Sequence, residues 1–110
     1  MLRAAEEATQ LANGRTRSDL DSDRLLNLAI TRLLEIVGEA AGRVTEATQL
    51  QYSDIPWPQI IAMRNRLIHG YDNVDFDILW DIVQLDLPPL IAKLHAILDP
   101  MSGFEGSIAP

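Results

Sequence analysis

The residues of this chain that could do chemistry lie close together in 63-MRNRLIHGYDN-73, which holds Arg64, Asn65, His69 and Tyr71. A histidine can give and take protons near neutral pH, and an arginine can hold a phosphate through two parallel hydrogen bonds. An amide can orient a phosphate or sugar oxygen. This set of side chains suits RNA cleavage without a metal, in which the ribose 2′-hydroxyl attacks the adjacent phosphate and an arginine stabilises the developing charge.

A single copy of this segment is an incomplete set of catalytic groups. One histidine supplies one partner for proton transfer, whereas cleavage through a cyclic phosphate uses both an acid and a base. A symmetric dimer that brings two copies face to face would supply both. Taken alone, however, the spacing of Arg64 and His69 arises often by chance and favours a structural interpretation, charged residues on the solvated end of a helix.

The composition predicts one acidic helical domain. The chain has 110 residues, a net charge of −7, 47% apolar residues and only 5% aromatic residues, so its core must be aliphatic. The absence of cysteine excludes a disulfide framework and thiolate metal sites, and two histidines argue against a His-rich metal site. We therefore expect no metal and no other cofactor. The negative charge argues against general attraction to nucleic acid, so any contact with phosphate must be local.

No apolar run approaches the roughly 20 residues of a membrane span, and the beginning of the chain lacks the apolar region of a signal peptide. These features predict a soluble, cytoplasmic protein without membrane contact.

The first half of the chain predicts two helices. An amphipathic helix over 2–13 stops at Gly14, and a polar connection leads to a long helix from about Asp21 to Thr48. The apolar stripe of the long helix is broad, which predicts helical neighbours on two sides. Gly38 and Gly42 would let another backbone approach closely, either within the chain or across a dimer.

The second half predicts two more helices. Pro56 and Pro58 favour a helix that begins near Trp57, runs through His69 and ends near Gly70. A last helix follows, capped by Asp75 or Asp77, and Pro88 and Pro89 should kink or split it. The fold class is therefore an all-α bundle of four to five helices over 1–99, with the last helix kinked at Pro88-Pro89, followed by a flexible tail over 100–110.

Several other polar residues allow two interpretations. Glu39 could pair with Arg64 or His69, or be a solvated or salt-bridged glutamate. Arg66 could add phosphate affinity or pair with an acid such as Asp72. A structural role is favoured for His95, for the core anchors Trp57 and Trp80, and for the capping acids Asp72, Asp75, Asp77 and Asp81.

The stretches 24–44 and 55–90 resemble the HepT family of HEPN-domain proteins, and 63-MRNRLIHGYDNVD-75 is the most specific part of the resemblance. The HEPN motif, Arg-x(4–6)-His, matches Arg64 and His69, and its polar residue after the arginine matches Asn65. The extended form of the motif is completed by Tyr71.

The resemblance implies an all-α homodimer whose two motif segments line a shared cleft. It also implies a metal-independent ribonuclease that acts as the toxin of a toxin–antitoxin pair, with RNA as substrate. The partner would be an MntA-like minimal nucleotidyltransferase antitoxin, which silences the toxin by transferring AMP from ATP to Tyr71. A phosphodiester beside Arg64 would compete with RNA phosphate for the guanidinium. The alternatives are a non-catalytic helical module that binds a nucleotidyltransferase and a plain dimerisation scaffold.

Overall fold

The computed structural model describes the backbone of residues 1–68 and 73–108 and the side chains of residues 1–68 and 73–99. The predicted all-α fold is confirmed, since helices account for nearly all regular structure in these residues. The α-helices are α1 (Leu2–Ala12), α2 (Asp19–Ser22), α3 (Arg24–Gly42), α4 (Glu46–Gln51), α5 (Trp57–Ile61), α6 (Met63–Leu67), α7 (Phe76–Asp81) and α8 (Leu87–Ile108), with a π-helical segment at Ile82–Asp86.

Helix α3 is the element around which the bundle packs. It contacts α1 and also α5 and α6, so it has several helical neighbours, as its broad apolar stripe predicted. Its fully buried side chains include Ile30, Leu34 and Val37. The helix begins where the Asp23 carboxylate accepts a hydrogen bond from the Leu26 backbone N–H at 3.0 Å.

The predicted end of the long helix near Thr48 is wrong. Helix α3 ends at Gly42, and Thr45 starts a separate helix by accepting a hydrogen bond from the Thr48 backbone N–H at 3.2 Å. An N-cap residue takes a non-helical conformation, so α3 cannot continue through Thr45, and α4 begins after it.

Gly38 provides a close contact within the chain. A Cβ atom at Gly38 would lie 3.1 Å from the Ile60 carbonyl oxygen, whereas one at Gly42 would meet only the Ile61 Cγ2 atom at 4.0 Å. The α3 backbone therefore approaches the end of α5 at Gly38. Of the two contacts that the sequence left open for Gly38, the intramolecular one is present.

The helix that carries the basic segment begins at Trp57, as predicted, but is interrupted at Ala62 and ends at Leu67. The predicted end near Gly70 is wrong because Ile68 is already extended, with φ −84° and ψ 126°. Ile68 forms an antiparallel bridge with Val74, and the Asp75 N–H donates to the Leu67 carbonyl oxygen at 2.7 Å. These bonds to residues later in the chain replace the next turn of helix. His69 and Gly70 themselves lie outside the described residues.

Two predicted structural roles are visible around α5 and α7. Trp57 is buried, and its indole N–H donates to the carbonyl oxygens of Gln49 and Tyr52, each at 3.1 Å. Asp75 caps α7 by accepting hydrogen bonds from the backbone N–H groups of Asp77 and Ile78.

The last helix is continuous from α7 through the π-helical segment into α8. The backbone N–H of Leu87 donates to the carbonyl oxygen of Ile82, five residues back, which is the π-helical pattern. Pro88 and Pro89 have no N–H, and in an α-helix their rings would crowd the carbonyl groups of the preceding turn. The predicted irregularity is therefore a widened turn just before the prolines, and the helix does not split at them.

The backbone of α8 is helical through Ile108, beyond residue 100 where the predicted tail begins. Propagating an existing helix adds one hydrogen bond for each residue fixed, so a segment without apolar periodicity can continue it. The flexibility of 100–110 stays a prediction.

Polar contacts tie the bundle together at two further places. His95 of α8 contacts Glu6 of α1 at 3.2 Å and Asp99 at 3.0 Å, which agrees with a structural role. The hydrogen bonds to Asp99 and then Glu6 raise the pKa of His95. The loop residue Arg17 donates to the Asp77 carboxylate at 2.7 Å, linking the α1–α2 connection to the start of α7. Within the described residues, no helix is both long and apolar enough to cross a membrane.

Candidate active site

Helix α6 presents the basic residues of the candidate site on a short, firmly anchored support. Met63 and Leu67, one turn apart, are each only 1% exposed and fix one face of α6 in the core. The side chains of the three residues between them therefore point away from this buried face. Arg64 and Asn65 are exposed, and Arg66 is half-buried.

Arg64 opens onto a pocket of about 160 Å³, which we call the Arg64 pocket. Helix α3 supplies one wall, and the end of α6 with the Ile68–Val74 bridge supplies the rest. The lining residues are Thr31, Glu35, Arg64, Leu67, Ile68 and Val74. The pocket thus combines one guanidinium, one carboxylate and one hydroxyl group above an apolar base.

His69 and Tyr71 belong to the segment 69–72, which lies outside the described residues, as does Asp72. The residues that flank this segment are described, because both Ile68 and Val74 line the Arg64 pocket and are bridge partners. His69 follows a pocket-lining residue directly in the sequence. The distances from His69 and Tyr71 to Arg64 stay predictions.

The acid in the Arg64 pocket is Glu35, a residue that the sequence analysis did not single out. The Glu35 side chain is 27% exposed and lies 3.4 Å from the Arg32 guanidinium. Glu39, which the sequence offered as a partner of Arg64, lies one turn further along α3, where it is 3.5 Å from Arg32. The structure thus brings Glu35, and not Glu39, to the pocket beside Arg64.

Glu35, and not Glu39, lines the Arg64 pocket because of the relative direction of α3 and α6. Met63 begins α6 at the level of Gly38, since a Cβ atom there would lie 3.6 Å from the Met63 Cβ atom. From that point α6 runs back towards the start of α3, so Arg64 lies level with Glu35 and Thr31. The sequence signal was the spacing of Thr31 and Glu35, four positions apart on one helix face. This spacing identifies Thr31 and Glu35 as neighbours of Arg64 only when the direction of α6 along α3 is known.

Arg66 belongs to a different surface from Arg64. Its guanidinium donates to the Asp86 carboxylate at 2.8 Å, so it pairs with an acid, while Asp72 lies outside the described residues. Both partners line a second pocket, which does not include Arg64. The structure therefore separates Arg66 from the Arg64 pocket.

Arg64 retains the capacity to hold an anion. None of the ion pairs formed among the described residues includes Arg64, although Glu35 lies in the same pocket. A guanidinium in this position can form a bidentate pair with a phosphate, and the Thr31 hydroxyl group can add a hydrogen bond. The Glu35 carboxylate lies in the same pocket and adds a negative charge to its lining.

The comparisons with known proteins agree on one family. The family model described as "Ribonuclease HepT-like" matches residues 1–97. A protein from Thermococcus cleftensis named "Probable ribonuclease HepT" is 35% identical over 95 residues, which are 83% of this chain and 86% of that protein. A protein from Caldanaerobacter subterraneus named a "Putative RNase" is 32% identical over 98 residues, covering 89% of this chain and 88% of that protein. No solved structure matches the chain.

Proposed function

Because this chain belongs to the HepT-like ribonuclease family, we propose that it cleaves RNA as the toxin of a toxin–antitoxin pair. The observation that carries the proposal is the placement of Arg64. It is exposed in a pocket, is fixed on an anchored helix and lies just before the segment that contains His69.

The proposed reaction needs no metal. The ribose 2′-oxygen attacks the adjacent phosphorus while a histidine takes the 2′-hydroxyl proton, and the bond from phosphorus to the 5′-oxygen breaks. A second histidine gives a proton to that 5′-oxygen, so the products are a 2′,3′-cyclic phosphate and a 5′-hydroxyl group. Arg64 stabilises the charge on the phosphate oxygens, and Asn65 orients the phosphate or the ribose.

Two chains are required because the proposed reaction uses two histidines and the candidate site of each chain has one, His69. The surface beside the Arg64 pocket has the apolar character that a second chain would cover. Leu25 is 81% exposed on α3, and Leu28 and Ile68 are also exposed. Leu28 precedes the pocket residue Thr31 by one turn, and Ile68 lines the pocket, so this surface adjoins the site. We assign the dimer contact to it.

Tyr71 is the proposed point of control. A nucleotidyltransferase antitoxin would form a bond between the Tyr71 oxygen and the α-phosphorus of ATP, release pyrophosphate and leave AMP on the toxin. The sequence places Tyr71 between two pocket-lining residues, Ile68 and Val74. The added phosphodiester carries a negative charge that would pair with Arg64 in place of RNA.

The test is an RNA cleavage assay in EDTA with the parent protein and the variants His69→Ala and Arg64→Lys. We expect His69→Ala to abolish cleavage and Arg64→Lys to reduce kcat by roughly a hundredfold, since lysine keeps the charge and loses the bidentate geometry. Arg3→Lys is the matched control for Arg64→Lys, because it makes the same exchange at an exposed position on α1. Cleavage that is the same in His69→Ala and the parent protein would overturn the proposal.

The modification is tested separately by mass spectrometry after incubation with ATP and an MntA-like minimal nucleotidyltransferase. A mass increase of one AMP is expected for the parent protein and for His69→Ala, and none for Tyr71→Phe. Binding of the nucleotidyltransferase by a protein that never cleaves RNA would favour the alternative, a non-catalytic binding module.

A further inference from the structure

A second pocket lies on the side of α6 that carries Arg66, and we call it the Lys93 pocket. Its volume is about 300 Å³, larger than that of the Arg64 pocket. The base is apolar and belongs to the core, since Ile60, Met63 and Leu90 are each at most 4% exposed. This volume is at the lower end of the range for small-molecule sites, and an apolar base with a few polar groups at the rim is their usual composition.

The pocket is formed where two helices depart from regular α geometry. Ala62, with ψ near 4°, interrupts the α-helical backbone between α5 and α6. Ile60 and Met63, on either side of it, both line the base of the pocket. The facing wall carries Leu85 and Asp86, which belong to the π-helical segment. A π-helical turn holds an extra residue and pushes the backbone outward, and such turns occur frequently at functional sites.

The rim of the Lys93 pocket carries an uncompensated positive charge. Arg66 and Asp86 form an ion pair at 2.8 Å and offset each other. The Lys93 ammonium group donates to the Asp54 carbonyl oxygen at 2.6 Å, and none of the ion pairs among the described residues includes Lys93. A cation without a carboxylate partner at the rim of an apolar pocket is notable in a chain with a net charge of −7.

We propose that the Lys93 pocket binds a small apolar molecule that carries one anionic group. The apolar part would lie on Ile60, Met63 and Leu90, and the anion would accept a charge-assisted hydrogen bond from Lys93. Leu85, which is 66% exposed at the rim, would lose its contact with water when the ligand binds. Binding there is independent of RNA cleavage, because none of these residues lines the Arg64 pocket.

The test uses octanoate as the anionic probe and 1-octanol as its neutral counterpart. The chain has three methionines, so labelling their methyl carbons with 13C gives a simple spectrum in which Met63 reports on the base of the pocket. Met1 does not line this pocket and is an internal reference. We expect octanoate to shift the Met63 signal saturably, with octanol binding roughly tenfold more weakly, and inorganic phosphate to leave it in place.

The variants identify the site. Lys93→Gln should weaken octanoate binding roughly tenfold and leave octanol binding unchanged, whereas Lys93→Arg should retain octanoate binding. Leu85→Asp places a negative charge at the rim and should also weaken octanoate binding, and Leu50→Asp is the matched control at an exposed leucine that does not line the pocket. A Met63 signal that octanoate does not move would overturn the proposal. Octanoate binding that is equal in Lys93→Gln, Leu85→Asp and the parent protein would do the same.

Discussion

Glu35 of α3 and Arg64 of α6 line one pocket, although they are far apart in the sequence. We expect Glu35 to position the guanidinium of Arg64 for the proposed transition state. Glu35→Ala should lower kcat for RNA cleavage roughly tenfold or more, because a displaced catalytic group is costly. KM should fall or stay unchanged, because a negative charge near the RNA phosphate is removed.

Glu39→Ala is the matched control for this prediction. It removes the other carboxylate that contacts Arg32, at a position outside the Arg64 pocket. Steady-state kinetics on both variants separate the two acids. If both variants lose kcat equally, then Arg32 and not the Arg64 pocket is what matters.

The apolar surface beside the Arg64 pocket predicts how the proposed dimer is disrupted. Leu25→Asp combined with Leu28→Asp places two charges on a surface that a second chain should bury, so the protein should become monomeric in sedimentation velocity experiments. RNA cleavage should be lost with the dimer. Leu50→Asp, at another strongly exposed leucine, should leave the dimer and RNA cleavage unchanged. A double variant that is monomeric and fully active would show that one chain suffices.

The contacts of His95 predict how stability varies with pH. Hydrogen bonds that the His95 ring donates to the Asp99 and Glu6 carboxylates favour the protonated ring, so the pKa of His95 is raised in the folded state. This contribution to the free energy of unfolding is fully present below the unfolded pKa of about 6.5 and is lost as pH rises through the folded value. Urea unfolding of the parent protein and His95→Gln should therefore differ most near pH 5.5 and converge above the folded pKa.

Glu6→Gln offers an independent check of the same contact, because it keeps His95 and removes one of the two carboxylates. Between pH 5.5 and 8.5, the urea unfolding midpoint of Glu6→Gln should depend less on pH than that of the parent protein. A difference between parent and His95→Gln that is constant from pH 5.5 to 8.5 would contradict the assignment.

The two glycines of α3 should respond differently to alanine. Replacing glycine in a helix commonly increases stability by up to about 1 kcal/mol. Gly42→Ala has room for the methyl group and should gain part of this, whereas Gly38→Ala brings a Cβ atom to 3.1 Å from the Ile60 carbonyl oxygen and should lose stability. Urea unfolding midpoints compare the two variants directly, and an equal gain for both would show that α5 moves aside at no cost.

Local signals in the sequence predicted much of this fold. Pro56 and Pro58 predicted where α5 begins, and Asp75 was predicted as a cap of the last helix; the structure has both. The apolar periodicity of α3 predicted the burial of Leu26, Ile30 and Val37, but Leu25, on the predicted flank of the apolar stripe, is exposed. These features depend on residues within one or two turns of each other, which is the range over which propensity and capping act.

The features that the sequence did not predict depend on distant residues. Helix α6 ends at Leu67 because Ile68 pairs with Val74, and apolar periodicity up to residue 68 gives no sign of that. Arg66 pairs with Asp86, twenty positions away in the sequence. The choice between Glu35 and Glu39 depended on the direction in which α6 crosses α3. Each of these requires knowing which helices are neighbours.

The π-helical segment also fixes the rotation of everything that follows it. One residue added to a helix turns the remainder by about 100° about the helix axis. Leu87, Leu90 and Leu94 reach the core in this rotational setting. If Ile82–Asp86 were regular α-helix, the same residues would turn these leucines out of the core and carry Lys93 away from its pocket, whereas the π-helical turn absorbs one residue. The orientation of the α8 side chains is thus determined in a turn that contains no proposed catalytic residue.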